Sequence, residues 1–466
     1  MKRREFMKGT LASASAVLGF PMIVPRSVLG AGVTAPSDRL TFGAIGVGSQ
    51  GGGNMRQWMN NDDIRMVAVC DVREQFRRQA KDTVDARYGD KSCAAYNDFR
   101  ELLERKDIDV VNIATGERWH ALMAIEAARQ GKHMYCQKPM ALTIEEAKAV
   151  RTAIRHYGVS YQLGAQQRSS QLFRHAAELV RNGKIGQLQT IAIGSAGGGR
   201  TALPLGLGFT SMPAEKPAPV PPGVDWDMWI GPSPWKPYSD LRITRTWMSI
   251  MDYGLGAIGG EYGVHDVDAG QWANDTDDTT PISVEGTGDV YHDIRDTLTT
   301  YNIEYQYANG VKMLLMDLVT ARKRFWQFQF GESVKGVSVG MIFFGTAGWI
   351  WVSRVGMRTQ PESVARTVFG PNDKRVIYSD DHQRNLLDAI RTGSPLVCPV
   401  EAGTHDEMIC QMGDIACRLE RKLHWDPVKE VFKDDELANR KMSRVMRSPW
   451  RLDVPGAGIP SQKAGA

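Results

Sequence analysis

The chain has 466 residues, of which 42% are hydrophobic and 24% are charged, and its formal net charge is +4. A chain of this length exceeds one compact domain, so we expect two domains with appended segments. Because most of the positive charge lies before residue 31, the remaining chain is nearly neutral, and we expect no nucleic-acid partner and no attachment to an anionic membrane.

Residues 1–31 are typical of an export signal rather than of a folded segment. The pair Arg3 and Arg4 precedes a mildly apolar run, 11–24, that is too short to cross a bilayer comfortably. This arrangement resembles a twin-arginine signal, which predicts a periplasmic protein that is exported folded and keeps no membrane contact after export. A generic basic start before a buried helix is the alternative. Since folding before export removes the need for disulfides, we expect the six cysteines to be buried free thiols.

Alternating strands and helices over 38–161 predict a Rossmann domain. Strand 40–45 runs into a glycine-rich segment, and a second apolar strand, 64–70, is followed by Asp71. This order is typical of a nicotinamide dinucleotide site, because glycines let the backbone approach a pyrophosphate and the acid accepts ribose hydroxyls. An ordinary strand-to-helix turn is the alternative. The cofactor residues predicted in the first loop are Gly46, Gly48, Ser49, Gln50 and Gly51.

Asp71 also bears on the choice of dinucleotide. A carboxylate at this position would repel the 2′-phosphate of NADP, so NAD is the expected cofactor. Arg73 lies two residues further on, and this nearby cation keeps NADP possible.

The second half of the Rossmann pattern places a lysine at the edge of the sheet. Residues 109–113 and 133–136 are predicted strands, 121–130 is a predicted helix, and Thr143 opens a predicted capping box. Lys138 directly follows the last of these strands, where open α/β sheets bind ligands. A lysine there can approach both the nicotinamide and a reacting substrate oxygen. A solvated loop lysine is the alternative.

The second domain is predicted over 162–448, with a tail at 449–466. Its strands favour a largely antiparallel open sheet in an α+β domain, which is a usual platform for substrate binding or subunit contact, so we expect a homo-oligomer. The segment 195–247 is rich in proline and tryptophan, and an insertion of this length is usually functional or an interface arm. The predicted strands are 188–193, 284–286, 297–305, 312–316, 335–343 and 349–351, and the late helices are 381–392 and 403–421.

Glu261, His265 and Asp268 form the second candidate constellation. If a helix begins at Glu261, the spacing i, i+4, i+7 places the three side chains on one face. A histidine flanked by carboxylates suits a general base that takes a proton from an alcohol. The same trio could instead ligate a metal, or the histidine could be structural.

Several of these motifs together resemble the Gfo/Idh/MocA oxidoreductase family over about residues 38–420. The residues that carry the resemblance are the glycine run, Asp71, the stretch from Thr115 to His120, Gln137-Lys138-Pro139, the strand with Gln162, Gly164, Gln166 and Arg168, and the Glu261-His265-Asp268 element. Three positions depart from the common pattern. Gln137 stands where the family commonly has glutamate, Glu261 stands for aspartate, and Gly116 replaces a proline, which predicts a looser loop.

The resemblance implies roles for these residues. The Lys138 position contacts substrate and tunes proton transfer, the His265 position is the base, and the acid four residues earlier orients it. Further cofactor contacts are expected at Thr115, His120 and Gln137, and substrate contacts at Gln166, Arg168, Asp268 and Trp247, with no metal required.

The expected function is hydride transfer between a tightly bound nicotinamide cofactor and a secondary alcohol of a sugar, cyclitol or glycoside. Two alternatives stay open. One is an NAD-dependent enzyme that cleaves glycosides by oxidation, elimination and reduction. The other is a carbohydrate-binding protein without catalysis.

Overall fold

A computed structural model describes residues 38–195, 212–326 and 340–454. The predicted export signal, part of the insertion (196–211) and the last residues of the tail (455–466) lie outside the described residues.

The first domain is built on a six-stranded sheet in which every neighbouring pair is parallel. Its strand order is β3-β2-β1-β4-β5-β6, which confirms the predicted Rossmann domain. The order reverses between β1 and β4, so the carboxyl ends of these two strands flank a crevice. The strands are β1 (Leu40–Ile45), β2 (Ile64–Cys70), β3 (Ala94–Tyr96), β4 (Val110–Ile113), β5 (His133–Cys136) and β6 (Tyr161–Leu163).

Five helices connect these strands and cover the sheet. They are α1 (Ser49–Trp58), α2 (Glu74–Tyr88), α3 (Phe99–Leu103), α4 (Glu117–Arg129) and α5 (Ile144–Tyr157). Helix α4 begins earlier than the predicted start at 121, so its first turn reaches the edge of the crevice. The Thr143 hydroxyl accepts the Glu146 N–H at 3.2 Å, as the predicted cap requires, while the Glu146 carboxylate accepts the Leu142 N–H at 2.9 Å.

The second domain contains a nine-stranded sheet that is antiparallel except where β7 pairs with β10. This confirms the predicted largely antiparallel sheet. The order is β13-β12-β11-β7-β10-β9-β8-β14-β15. The strands are β7 (Leu188–Ser195), β8 (Ser283–Val290), β9 (Leu298–Gln306), β10 (Lys312–Asp317), β11 (Gly340–Gly345), β12 (Gly348–Ser353), β13 (Gly356–Gln360), β14 (Leu423–Asp426) and β15 (Val431–Phe432).

Eight further α-helices are described after the Rossmann domain. They are α6 (Gln171–Arg181), α7 (Trp226–Ile230), α8 (Asp240–Ile243), α9 (Gly263–Asn274), α10 (Leu318–Ala321), α11 (His382–Thr392), α12 (Val400–Leu419) and α13 (Glu436–Arg440). Helix α11 returns to the Rossmann domain, where Leu386 and Leu387 share a buried cluster with Trp58. At the chain end, Trp450 packs edge-on against Trp119 with ring centroids 4.7 Å apart, so the described part of the tail is docked. None of the described helices is long and apolar enough to cross a membrane.

The six cysteines are all buried and free, as predicted. Burial raises the pKa of Cys93 and of Cys417 to about 12, so both stay protonated thiols at neutral pH.

Residues 212–247, which we call the strap, cross the carboxyl end of β2. Val224 forms an antiparallel bridge with Arg73, and the Glu74 N–H donates to the Gly223 carbonyl at 2.8 Å. Within the strap, the rings of Trp226 and Trp229 stack with centroids 4.6 Å apart. The strap therefore carries its own aromatic core and is fastened to the Rossmann sheet through backbone hydrogen bonds.

Candidate active site

The predicted glycine loop lies between β1 and α1. Gly46 has a φ of +77°, a conformation that L side chains rarely adopt. A Cβ on Gly51 would lie 1.8 Å from the Gly46 carbonyl oxygen, so helix and loop approach too closely for any side chain there. Gly48, Ser49 and Gln50 complete the loop and line the adjoining cleft. The loop thus exposes main-chain N–H groups at a helix N-terminus, where a pyrophosphate binds.

Asp71 follows β2 and lines the same cleft. Its carboxylate is 9% exposed and accepts the Val47 N–H at 3.0 Å and the Arg73 N–H at 2.9 Å. Burial raises the pKa of Asp71, and these two backbone hydrogen bonds oppose that rise. Each carboxylate oxygen keeps a further lone pair for a ribose hydroxyl.

The cleft at these loops fits a dinucleotide. Its lining includes the glycine loop, Asp71, Asn97 and Phe99. The strap contributes four residues to this lining, which are Met228, Trp229, Ile243 and Trp247. A space made by side-chain-free glycines, a ribose-facing acid and aromatic walls matches NAD in shape and chemistry.

A second chamber adjoins the dinucleotide cleft, and we call it the substrate chamber after the substrate contacts predicted there. Both spaces are lined by Ser49, Gln50, Thr115 and Trp247. Lys138 lies in this chamber, and its ammonium group donates to the carbonyls of Gly260 and Glu261, the latter at 2.9 Å. Burial lowers the pKa of Lys138 to about 8, while the carboxylates of Glu117 and Glu261 oppose the shift. Lys138 is therefore anchored in the chamber and is not a solvated loop lysine.

His265 also lines this chamber and is 4% exposed. Among the described residues, its Nδ1 has no hydrogen-bond partner. Burial lowers the pKa of His265 well below its ordinary value, and the positive charges of Lys138 and Arg354 lower it further. The imidazole is therefore neutral at physiological pH and can accept a proton.

Glu261 does not orient His265, contrary to the expectation from spacing. It closes a separate turn, Ala257–Glu261, and α9 begins only at Gly263. The expected helical face is therefore broken between the acid and the histidine. The Glu261 carboxylate acts on Lys138 instead, and burial raises its own pKa.

Arg168 and Asp268 also differ from the prediction, because they pair in the core and do not line the substrate chamber. Arg168 Nε donates to Asp268 Oδ1 at 2.7 Å, and the two side chains are 2% and 0% exposed. Both carboxylate oxygens of Asp277 accept from the same guanidinium at 2.9 Å. Burial of the Asp268 carboxylate would be costly without a partner, and the Arg168 guanidinium supplies the compensating charge.

The grouping of Asp268, Cys398 and Asp406 has the side-chain types of a metal site, but its charge is already balanced. Arg168 supplies the cation next to Asp268, and burial raises the pKa of Asp406 well above its ordinary value. This group shares only Asp268 with the Glu261-His265-Asp268 trio that the sequence analysis considered as metal ligands. Among the described residues, that trio is not found as a group of possible ligands.

Three other predicted contacts, Gln166, His120 and Gln137, line the substrate chamber and not the dinucleotide cleft. Gln166 lines the substrate chamber and donates to the Tyr135 hydroxyl at 2.7 Å. The His120 ring nitrogens lie 2.6 Å from the Pro139 carbonyl and 3.2 Å from the Thr115 carbonyl, so this histidine joins the loops after β4 and β5. Gln137 lines the chamber with an amide nitrogen that has no partner among the described residues.

Glu117 and Arg118 are site residues that the sequence analysis passed over within the Thr115-to-His120 stretch. Glu117 lines the substrate chamber and accepts the Leu255 N–H at 2.7 Å; burial raises its pKa, and this hydrogen bond and the Lys138 ammonium oppose the rise. Arg118 lines the dinucleotide cleft. Two charged residues in the first turn of a helix that follows a parallel strand are the signal that would have identified them. Arg245 and Arg354 also line the substrate chamber.

Comparison with known proteins identifies two family models along the chain. Residues 40–165 match the model described as "Oxidoreductase family, NAD-binding Rossmann fold". Residues 173–327 and 374–452 match the model described as "Oxidoreductase family, C-terminal alpha/beta domain".

Individual relatives cover the chain to different extents. A glycosyl hydrolase family 109 protein from Shewanella baltica is 39% identical over 150 residues, which are 31% of this chain and 32% of that protein. The match thus spans about a third of the length of the curated relatives. The solved structure of the WlbA dehydrogenase from Bordetella pertussis, with NADH and UDP-GlcNAcA, is similar with a TM-score of 0.57 and 14% identity, covering 83% of this chain and 99% of that chain. An aldose-aldose oxidoreductase from Caulobacter crescentus, with glycerol, has a TM-score of 0.57 and 17% identity over 83% and 99% of the two chains.

Proposed function

The chain belongs to the Gfo/Idh/MocA oxidoreductase family with an NAD cofactor, and from this premise we propose that it oxidises a secondary alcohol of a sugar, cyclitol or glycoside. The observation that carries the proposal is the pairing of a neutral buried His265 with an anchored Lys138 in the chamber next to the glycine loop. One group can take a proton and the other can stabilise an oxyanion.

The residues of the chamber divide the chemistry between them. His265 removes the hydroxyl proton from the substrate, and the Lys138 ammonium stabilises the oxygen as it becomes negative. Glu117 and Glu261 keep Lys138 protonated, since their carboxylates raise its pKa against the effect of burial. When bound, the nicotinamide supplies the acceptor for the hydride and can return it. The strap forms part of the lining of the cleft that would hold the dinucleotide.

A second candidate is cleavage of a glycoside without net redox change. Oxidation of the hydroxyl two carbons from the anomeric carbon acidifies the C–H that lies between them, so a base can remove that proton while the glycosidic oxygen departs from the anomeric carbon with its bonding electrons. Water then adds, and return of the hydride restores the alcohol. The strap over the cleft favours this candidate because a retained cofactor suits a cycle that ends in its starting state, and the relatives named for glycosyl hydrolase activity agree with it.

A panel of sugars and chromogenic glycosides separates the candidates. The purified protein is incubated with each compound and no added nucleotide. A rise in absorbance at 340 nm that stops when the bound cofactor is reduced supports net oxidation. Repeated release of the chromogenic group at unchanged absorbance supports cleavage. Neither signal with any compound, in protein shown to hold NAD, contradicts both and supports a binding protein.

We expect protein recovered from the periplasm to contain its nucleotide. Replacing Arg3 and Arg4 by lysine should keep the protein in the cytoplasm, because a twin-arginine signal requires the arginine pair. Denaturing the exported protein should release NAD, which chromatography identifies. Folded periplasmic protein without nucleotide, and without a thermal shift on adding NAD or NADP, would contradict retention.

Replacing Glu117 by glutamine should move the alkaline limb of the activity profile to lower pH. The carboxylate of Glu117 raises the pKa of Lys138, so its removal lets that pKa fall further below about 8. Activity is present below the pKa of Lys138 and is lost above it, and a shift of roughly one pH unit is expected for one nearby charge. The measurement is turnover against pH. Glu126→Gln, on the same helix but paired with Arg129 at 2.7 Å, is the matched control and should leave the profile unchanged.

A further inference from the structure

Arg118 is a buried cation without a counterion among the described residues. It lies in the first turn of α4 and is 3% exposed. Its Nε donates to the Trp229 carbonyl at 2.8 Å, and its Nη2 donates to the same oxygen. Its Nη1 is buried with no hydrogen-bond partner. Isolated charges of this kind are costly, and a buried guanidinium is normally paired with an anion.

The charged groups around Arg118 do not compensate it. Arg444 and Arg73 lower the pKa of Arg118, whereas Tyr253 and Glu117 raise it, and burial brings it to about 9. Arg444 has its own anion, because its Nε contacts Glu146 at 2.5 Å. Glu117 lines the substrate chamber, and its carboxylate accepts the Leu255 N–H. Arg118 is therefore left facing the dinucleotide cleft with excess positive charge.

Three aromatic rings hold the guanidinium in place. Its carbon lies 4.0 Å from the centroid of the Trp229 ring, 5.0 Å from that of Tyr253 and 6.0 Å from that of Trp247. Trp229 and Trp247 belong to the strap and also line the cleft. A cation fixed between rings keeps its planar fork available for a phosphate.

Gly116 gives the guanidinium the space it needs. A Cβ at residue 116 would lie 2.4 Å from Arg118 Nη1. The backbone of Gly116 has a φ of −71°, which any residue adopts, so the glycine is explained by the neighbouring guanidinium and not by an unusual backbone conformation.

We propose that the Arg118 guanidinium binds the pyrophosphate of the dinucleotide, and that the strap positions it for this contact. The phosphates are the anionic part of the dinucleotide, and Arg118 lines the same cleft as the glycine loop whose N–H groups would receive them. The strap carbonyl fixes two donors of the guanidinium and leaves the third for the ligand. Binding of the cofactor and docking of the strap are then linked, because each positions the group that the other needs. This role does not depend on which carbohydrate reaction the enzyme performs.

The test compares ligands that differ in phosphate. Arg118→Gln and the wild type are titrated by calorimetry with NAD, ADP-ribose, adenosine and NADP, after exhaustive removal of bound nucleotide. We expect the variant to lose about 10- to 100-fold in affinity for NAD and ADP-ribose, the scale of a charged hydrogen bond, and to bind adenosine as the wild type does. Dissociation of NAD that copurifies with the protein, followed by chromatography, should accelerate correspondingly.

Matched variants separate the phosphate contact from general support of the strap. Arg447→Gln removes the hydrogen bond from Arg447 Nε to the Gly231 carbonyl, which is 3.0 Å long, and Arg447 does not line the cleft. If this variant lowers the affinity for any of the four ligands, it should lower all four affinities equally. Gly116→Ala keeps the charge but displaces Nη1, and should reproduce the selective loss even if Arg118→Gln fails to fold. Wild-type affinity for ADP-ribose in both Arg118→Gln and Gly116→Ala would overturn the proposal. An equal loss of affinity for adenosine would also overturn it, because it would indicate a structural role. A loss of affinity confined to NADP would do the same, because it would indicate a contact with the 2′-phosphate.

Discussion

Replacing His265 by alanine is expected to lower turnover by about 10²- to 10⁴-fold, the usual contribution of a general base. The imidazole lines the substrate chamber, is neutral, and has no partner for Nδ1 among the described residues, so its removal breaks no described hydrogen bond. The bound NAD should remain, because the glycine loop and Asp71 lie in the adjoining cleft. The measurement is single-turnover kinetics on a verified substrate, with NAD content and melting temperature determined in parallel.

Two further variants sharpen this result. Lys138→Ala should also depress the chemical step, and the loss in the double variant should be smaller than the product of the single losses, because both groups serve one proton transfer. His424→Ala, at an exposed position on β14, is the matched control and should be silent. Full activity of His265→Ala would refute the assignment, and its unfolding would support a structural histidine.

The cofactor half of the site was predictable because its signals are local. Gly46 and Gly51 lie within one strand-to-helix turn, and Asp71 directly follows the next strand, so a short stretch of sequence contains the whole motif. The parallel order of the sheet then follows from the alternation of strands and helices. Residues that act together there are close in sequence as well as in space.

The substrate half was predicted less well because its geometry depends on one irregular turn. A regular helix from Glu261 would have aligned that acid with His265, but the turn Ala257–Glu261 separates them. Gly263 permits this interruption, since a Cβ there would lie 1.5 Å from the Ile258 carbonyl oxygen. Spacing rules assume an uninterrupted helix, and the sequence gives no period that reveals this interruption.

The strap illustrates a second limit. Its prolines and tryptophans indicated a functional insertion, but not which surface it covers. That is decided by contacts such as Asn97 Nδ2 to Asp225 Oδ2 at 2.7 Å, which join residues far apart in the chain. The position of the Arg118 guanidinium depends on a similar long-range contact, its hydrogen bond to the Trp229 carbonyl of the strap.

Replacing Arg168 by methionine is expected to destabilise the fold by about 3–5 kcal/mol and not to act through substrate affinity. The change leaves Asp268 buried at 0% exposure without the cation that compensates it, next to Asp406. Chemical denaturation measures the free energy of unfolding. Arg421→Met, which removes a pair with Asp435 at 2.9 Å and 43% exposure, is the control and should cost no more than about 1 kcal/mol. Adding Asp268→Asn to Arg168→Met should recover part of the loss, because it removes the stranded charge. If the Arg168→Met variant is instead as stable as the wild type and only its KM rises, then Arg168 contacts substrate, as the family resemblance implied. The pair with Asp268 would then not stabilise the fold.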